Sequence, residues 1–165
     1  MDEVQLHHAV SQFLFREARL LDDRRFADWL DLWSDDASYL VPTAWVSSRE
    51  GLREANDLEL HHIRSGKDVL RLRVEKLRSG SAWAEEPPSR MIRSISNVEL
   101  GHAGDVIEVR SNIVLHRVRY TDDVEVHAAS RSDRLRLEDG RWQISRRKVS
   151  LAHGVLRSTS FEFFL

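Results

Sequence analysis

The sequence predicts an α+β fold, with N-terminal helices packed on a long, strongly curved antiparallel sheet, a cone-shaped half-barrel that takes residues 1–165 as one domain. Three observations lead there. Apolar residues of the first third recur at three- and four-residue intervals, as they do along one face of a helix. After Pro87-Pro88 the period changes to two, as in half-buried strands. Asp139-Gly140 then separates two such stretches with the residue types that a two-residue hairpin favours.

The elements follow in order. Leu6, Val10, Phe13, Leu14, Ala18 and Leu21 share one face of a helix from about Glu3 to Asp22. Phe26, Trp29, Leu30 and Trp33 repeat that spacing in a second, shorter helix, with Asp22-Asp23 as cap and dipole-favoured acids ahead of it. Asp35-Asp36 ends the pattern, and Ser38-Tyr39-Leu40-Val41, closed by Pro42, reads as a short strand ending at an edge or turn. Residues 43–65 carry no clear period. Ser65 is placed to cap a third helix over about Lys67 to Arg78, with Leu70, Val74 and Leu77 inward and Gly80 stopping it. Strands are expected at about Arg90–Leu100, Val106–Tyr120, Glu125–Leu137 and Trp142–Leu151, in sequential antiparallel order. They exceed the usual length of about 5 to 6 residues, so the sheet must curl, with bulges as the means.

Composition narrows the function. Of 165 residues, 41% are hydrophobic and 32% charged, which suits one packed core. A formal net charge of -2 removes the electrostatic reason to expect nucleic acid or an anionic membrane as partner. The absence of cysteine from the sequence excludes thiolate zinc sites, thiol nucleophiles and a cysteine-held iron–sulfur cluster in this chain. No apolar run approaches the ~18 residues of a membrane span, and Met1-Asp2-Glu3 is no secretory leader, so the expected location is the cytoplasm. Charge is unevenly spread: residues 1–60 carry -7 and residues 61–165 carry +5. This predicts attraction between the halves of neighbouring protomers in a closed ring; the 22 arginines against 3 lysines suit such an interface, and a high genomic GC content gives the same bias.

The adjacent pairs His7-His8 and His61-His62 diverge on either a helix or a strand and cannot chelate as they stand. The 7 glycines form no phosphate-binding loop, and no Gly-x-Ser-x-Gly elbow exists. Acid–base chemistry in a cone mouth would draw on Asp36, Tyr39, His116, His127 and Asp133. The ordinary reading makes Asp36 a turn acid, Tyr39 a half-buried strand aromatic and Asp133 a partner of Arg131 or Arg134. Trp29, Trp33, Trp83 and Trp142 read as core or interface anchors, and the apolar Phe161-Glu162-Phe163-Phe164 as filler of a groove in its own fold or a neighbour.

Several stretches, in this order, resemble the beta (small) subunit of Rieske-type aromatic-ring-hydroxylating dioxygenases. They are Glu17-Ala18-Arg19-Leu20-Leu21-Asp22, Trp29-Leu30 leading to Asp35-Asp36 and Tyr39 to Pro42, Arg73-Val74 to Leu77-Arg78, Ile95-Ser96-Asn97-Val98, Arg131 to Arg136, and Trp142 to Leu151. Ala82-Trp83-Ala84-Glu85-Glu86-Pro87-Pro88-Ser89-Arg90 is the most specific of all. The resemblance implies the cone fold of the nuclear transport factor two-like, or cystatin-like, superfamily. It also implies a hexamer of three alpha and three beta chains, whose alpha chain carries the Rieske [2Fe–2S] cluster, the mononuclear iron and the substrate pocket. On that reading this chain is a non-catalytic scaffold, without cofactor or metal of its own, in an oxidoreductase of aromatic hydrocarbon catabolism. Trp83, Pro87, Pro88, Arg90, Phe163 and Phe164 are then the expected subunit contacts, since a proline-stiffened loop loses little entropy on docking and Trp and Arg dominate interfaces; for residues 82–90 the alternative is a lid of the same chain over the cone. The alternative is a stand-alone dehydratase or isomerase that uses the cone interior with Asp36, Tyr39 and His116 as acid–base groups.

Overall fold

A computed structural model describes residues 2–47, 51–54, 61–78, 89–103, 105–120, 123–152 and 164–165. Helix α1 runs Glu3–Asp22 and opens on a capping box, in which the Asp2 side chain accepts from the Gln5 amide at 2.8 Å while the Gln5 side chain accepts from the Asp2 amide. Val10, Leu14, Ala18 and Leu21 of the expected stripe are buried. Helix α2 is shorter than its spacing implied, Phe26–Leu30, and Arg25 at its N-cap makes no side-chain capping bond, its guanidinium pairing instead with Asp28 at 2.6 Å. Trp33 instead begins strand β1 (Trp33–Pro42), so Asp35-Asp36 lies inside a strand. Strands β2 (Ala44–Ser47), β3 (Gly51–Glu54) and β4 (His61–Gly66) fill the stretch without a clear period. Helix α3 spans Lys67–Arg78 with Leu70 and Val74 buried, as expected. Ser65 belongs to β4, paired with Tyr39. The strands β5 (Arg90–Ala103), β6 (Val106–Arg119), β7 (Asp123–Glu138) and β8 (Arg141–Leu151) follow.

The main sheet has the order β4-β1-β8-β7-β6-β5, and β2 and β3 pair separately. The meander β5 to β8 is antiparallel and sequential as the period-two pattern requires. The sheet as a whole is mixed, because β1 inserts between β4 and β8 and runs parallel to β8, with Tyr39 opposite Arg147. Of the edge or turn expected at the end of residues 38–42, the edge is excluded, since β1 is flanked on both sides. Tyr39, Leu40 and Val41 are all buried, the pattern of a strand flanked on both sides, and Pro42 is accommodated at its end, where the pairing with β4 shifts register.

Curvature comes from irregular pairing. The β5–β6 ladder slips between Ser96 and Glu99, where Asn97 takes a positive φ of 52°, and β7–β8 slips between Arg134 and Leu135. The β7–β8 hairpin turns on Asp139 (φ 50°) and Gly140 (φ 74°), two successive positive φ angles that a type I′ turn demands. The open, curled sheet faces the helices, and one core forms between them around Leu14, Trp29, Trp33, Tyr39, Leu115 and Ile144.

Candidate functional site

The interior of the cone, where a stand-alone enzyme would need its pocket, holds a closed ionic cluster. Glu17 projects from the apolar face of α1, while alternation turns Arg131 and Asp133 of β7 and Arg147 of β8 inward beside Ala129, Leu135 and Val149. Arg147 donates through Nε to Asp133 Oδ1 (2.7 Å), and through Nη2 to Asp133 Oδ2 (3.0 Å) and Glu17 Oε2 (2.9 Å). Arg131 Nη2 lies 3.2 Å from Glu17 Oε2 and 3.3 Å from Asp133 Oδ2. Trp29 Nε1 donates to Glu17 Oε1 at 2.9 Å, and the Arg147 guanidinium sits 5.3 Å from the Trp33 ring centre.

Two buried acids thus face two buried arginines, the condition under which charges tolerate removal from water. Burial alone would raise the Glu17 pKa. The charges of Arg147 and then Arg131, with hydrogen bonds from Arg147 and Trp29, overcome it and bring the carboxyl to about 2. Burial likewise pulls Arg147 down, and Asp133 and Glu17 outweigh it, holding the guanidinium above the ordinary arginine value. Glu17 and Arg147 are thereby held in their charged forms at neutral pH, so neither is poised to exchange a proton with a substrate.

A second set of contacts holds Phe164 and Leu165 inside the same interior. The Phe164 ring lies 4.3 Å from Trp29 and 6.4 Å from Phe26, centre to centre, and the Arg73 guanidinium stands 4.4 Å from the ring centre. Its carbonyl accepts from Arg93 Nε (3.1 Å) and Nη2 (2.8 Å), while Arg93 Nη1 pairs with Asp22 at 2.6 Å. The Leu165 amide donates to the Tyr39 hydroxyl at 3.2 Å.

The acid–base candidates do not converge. Asp36 is exposed and tied to Ser34 and Arg136, whose hydrogen bonds, Ser34 first, lower its pKa. Tyr39 is fully buried with its hydroxyl on Leu165. His116 points out from the opposite face of β6. His127 is buried with its Nε2 3.1 Å from Glu125 Oε2, which Arg117 also contacts. Asp133 pairs with Arg147 and Arg131, whereas Arg134 pairs with Glu108. A cleft of about 690 Å³ does open between α1, α2 and the start of β8, lined by Phe13, Arg16, Leu32, Arg141 and Trp142, but it lies outside the cone and contains none of these candidates. Among the described residues no three His, Asp or Glu side chains converge as a metal would require.

Of the expected subunit contacts, Trp83, Pro87, Pro88 and Phe163 lie outside the described residues. Phe164 is 1% exposed and spent on the chain's own core. Arg90 is exposed at the head of β5, opposite Val118 of β6, which in turn faces Val124 of β7. The next row, Ile92, His116 and Val126, is exposed too, at 66% for Ile92 and 47% for Val126. This apolar strip is on the sheet face opposite α1, because Arg93, the neighbour of Ile92 in β5, points toward Asp22 of the helix. Much of the charge asymmetry is consumed within the chain: Glu17, Asp22, Asp35 and Asp36 pair with Arg147, Arg93, Lys67 and Arg136.

The interior cluster was within reach of sequence reasoning only in part. Glu17 is an acid on the apolar stripe of α1, and Arg147 occupies an inward position of β8; each is a charge on a core face, which marks a buried partner. Nothing in the sequence names that partner.

Comparison with known proteins completes the description. The model of a family described as ring hydroxylating beta subunit matches residues 16–158. A solved structure of naphthalene 1,2-dioxygenase with indole in its active site superposes with a TM-score of 0.88 at 24% identity, covering 100% of this chain and 88% of that one. The beta subunit of benzoate 1,2-dioxygenase from Burkholderia mallei gives 0.71 at 28% identity over 86% and 87% of the two chains. ActVI-ORFA from Streptomyces coelicolor gives 0.65 at 16% identity, covering 90% and 98%, a likeness of fold alone.

Proposed function

We infer from a chain that belongs to the ring-hydroxylating dioxygenase beta subunits that its task is assembly: it scaffolds catalytic alpha subunits and performs no chemistry itself. The observation that carries this reading is the filled interior. Glu17, Arg131, Asp133 and Arg147 neutralise one another there, and Trp29, Tyr39 and Phe164 occupy the remaining volume. An active site needs a cavity with a titratable group near its working pKa, and the dehydratase or isomerase reading finds Asp36 and His116 exposed on different strands and Tyr39 buried in the core.

In this proposal three such chains associate with three alpha subunits. The Rieske [2Fe–2S] cluster, the mononuclear iron and the aromatic substrate belong to the alpha chain, and the assembly works in the cytoplasm. The described helices fit a protein that does not enter a membrane through them, since none is long and apolar enough to cross one. The strip formed by Ile92, Val124 and Val126 supports self-association, because water-exposed aliphatic side chains in adjacent rows of a sheet gain most by being covered.

Reconstitution tests the reading. The purified chain should be colourless and inactive toward aromatic rings, and adding the alpha subunit should give a hexamer with hydroxylating activity. Stoichiometric iron bound to the isolated chain, or turnover without the alpha subunit, would refute it.

A further inference from the structure

Phe164 and Leu165 are held as a ligand is held. The aromatic ring has a stacking partner in Trp29 at 4.3 Å and a cation in Arg73 at 4.4 Å. Two bonds along, the carbonyl oxygen receives two N–H groups of the Arg93 guanidinium at 3.1 and 2.8 Å. Arg93 is itself buried, and its remaining contact with Asp22 is made through Nη1, on the other side of the fork. A planar guanidinium that presents two donors to one side is the group that recognises carboxylates, and a charged acceptor would bond to it more strongly than the neutral amide oxygen now there. The Tyr39 hydroxyl takes the Leu165 amide at 3.2 Å and donates to the Leu165 carbonyl at 3.4 Å, so once Leu165 is displaced it can donate to an oxygen of the acid instead.

We propose that the cone interior is a binding site for an aryl group carried two carbons from a carboxylate, and that this chain fills the site with its own Phe164 and Leu165. The spacing is read from the occupant, whose ring, Cβ, Cα and carbonyl carbon form the skeleton of 3-phenylpropanoate. Trp29 and Arg73 take the ring, Arg93 takes the carboxylate, and Tyr39 supplies a further hydrogen bond. The ionic cluster of Glu17 and Arg147 stays closed beneath, so the site binds without catalysing. The inference stands apart from the scaffold role: it concerns a competition between the chain's own residues and a free acid.

The test uses the full chain carrying Phe164→Ala, which removes the ring and leaves the rest of the sequence in place. 3-Phenylpropanoate at millimolar concentration should raise the melting temperature of this variant and change its tryptophan emission, with ethylbenzene and benzoate binding at least tenfold more weakly. Arg93→Gln in the same background should lower the affinity for the acid at least tenfold. In the intact chain the acid should speed hydrogen exchange at the Leu165 amide, since it competes for the same partners, and this measurement decides the matter if the variant does not fold. Equal binding of ethylbenzene would mean a void and no more. That outcome, binding indifferent to Arg93, or unchanged Leu165 exchange in the intact chain would overturn the proposal.

Discussion

Glu17 of the first helix and Arg147 of the last strand, 130 positions apart, meet with Nη2 and Oε2 2.9 Å from each other and neither exposed to solvent. The pair ties α1 to the centre of the sheet, because β8 lies between β1 and β7 and Arg147 also grips Asp133 across the ladder. Its two carboxylates depend on one guanidinium more than on any other group, since Arg131 reaches each of them through a single nitrogen.

Arg147→Met should therefore cost far more than a lost hydrogen bond. It leaves two buried carboxylates with Arg131 as their remaining cation, and breaking a buried pair on one side costs about 3–5 kcal/mol. Urea unfolding should show that loss in the midpoint with the slope unchanged. A loss below about 1 kcal/mol would mean that water reaches the cluster.

Acid should weaken the protein through Glu17. Its folded pKa of about 2 lies below the ordinary 4.5, so its stabilisation is fully present above about pH 4.5 and is lost as pH falls through 2. At 1.36 kcal/mol per pKa unit the contribution is about 3 kcal/mol. Melting temperatures measured from pH 6 down to 2 should fall, and Glu17→Gln, destabilised throughout, should show a shallower slope over that window.

Periodicity made the ladder legible and left its insertion obscure. Residues 106–119 alternate buried and exposed almost without a break, so the sequence alone located β6 within a residue of either end. In β1 Tyr39, Leu40 and Val41 are buried in succession on both faces, so no alternation shows, and a central parallel strand looks the same as an apolar edge. Trp33 continues the helical spacing of Phe26 and Trp29 yet sits in a strand, because Trp29, Trp33 and Tyr39 pack edge to face in one core, and that tertiary contact overrides local spacing. At the site, inward-facing charges were visible, but the pairing of Glu17 with Arg147 depends on how α1 crosses the sheet, which no local pattern records.

Gly140→Ala isolates backbone strain. A Cβ at this position would meet nothing within 4 Å, so the φ of 74° is the whole penalty, about 1–2 kcal/mol for an L-residue in the left-handed region. Thermal unfolding should show a drop of roughly 2–4 °C per kcal/mol, and Asp139→Asn, which suits the positive φ of 50°, should leave the melting temperature where it is.

Trp83→Ala tests the contact expected of the proline-stiffened segment, which lies outside the described residues. If Trp83 anchors an interface, truncation should weaken assembly with the alpha subunit by about 2 kcal/mol and leave the circular dichroism of the chain unaltered. Normal assembly with early melting would place the side chain in the chain's own core.

The exposed strip on β5, β6 and β7 makes the final prediction. Ile92 and Val126 flank His116 in one row, with Val124 in the next, on the face turned away from α1. Covering such side chains gains about 25 cal/mol per Å² of apolar surface, whereas a carboxylate forced into the same contact must be desolvated without a partner. Ile92→Asp together with Val126→Asp should therefore convert the proposed trimer into monomers in sedimentation velocity at micromolar concentration. The fold should persist, because both side chains are solvent-exposed in the single chain. Since the acids Glu17, Asp22 and Asp36 are already paired within the protomer, added salt should affect association less than these substitutions do. Dissociation by salt with no effect of the double substitution would move the interface to the charged surfaces.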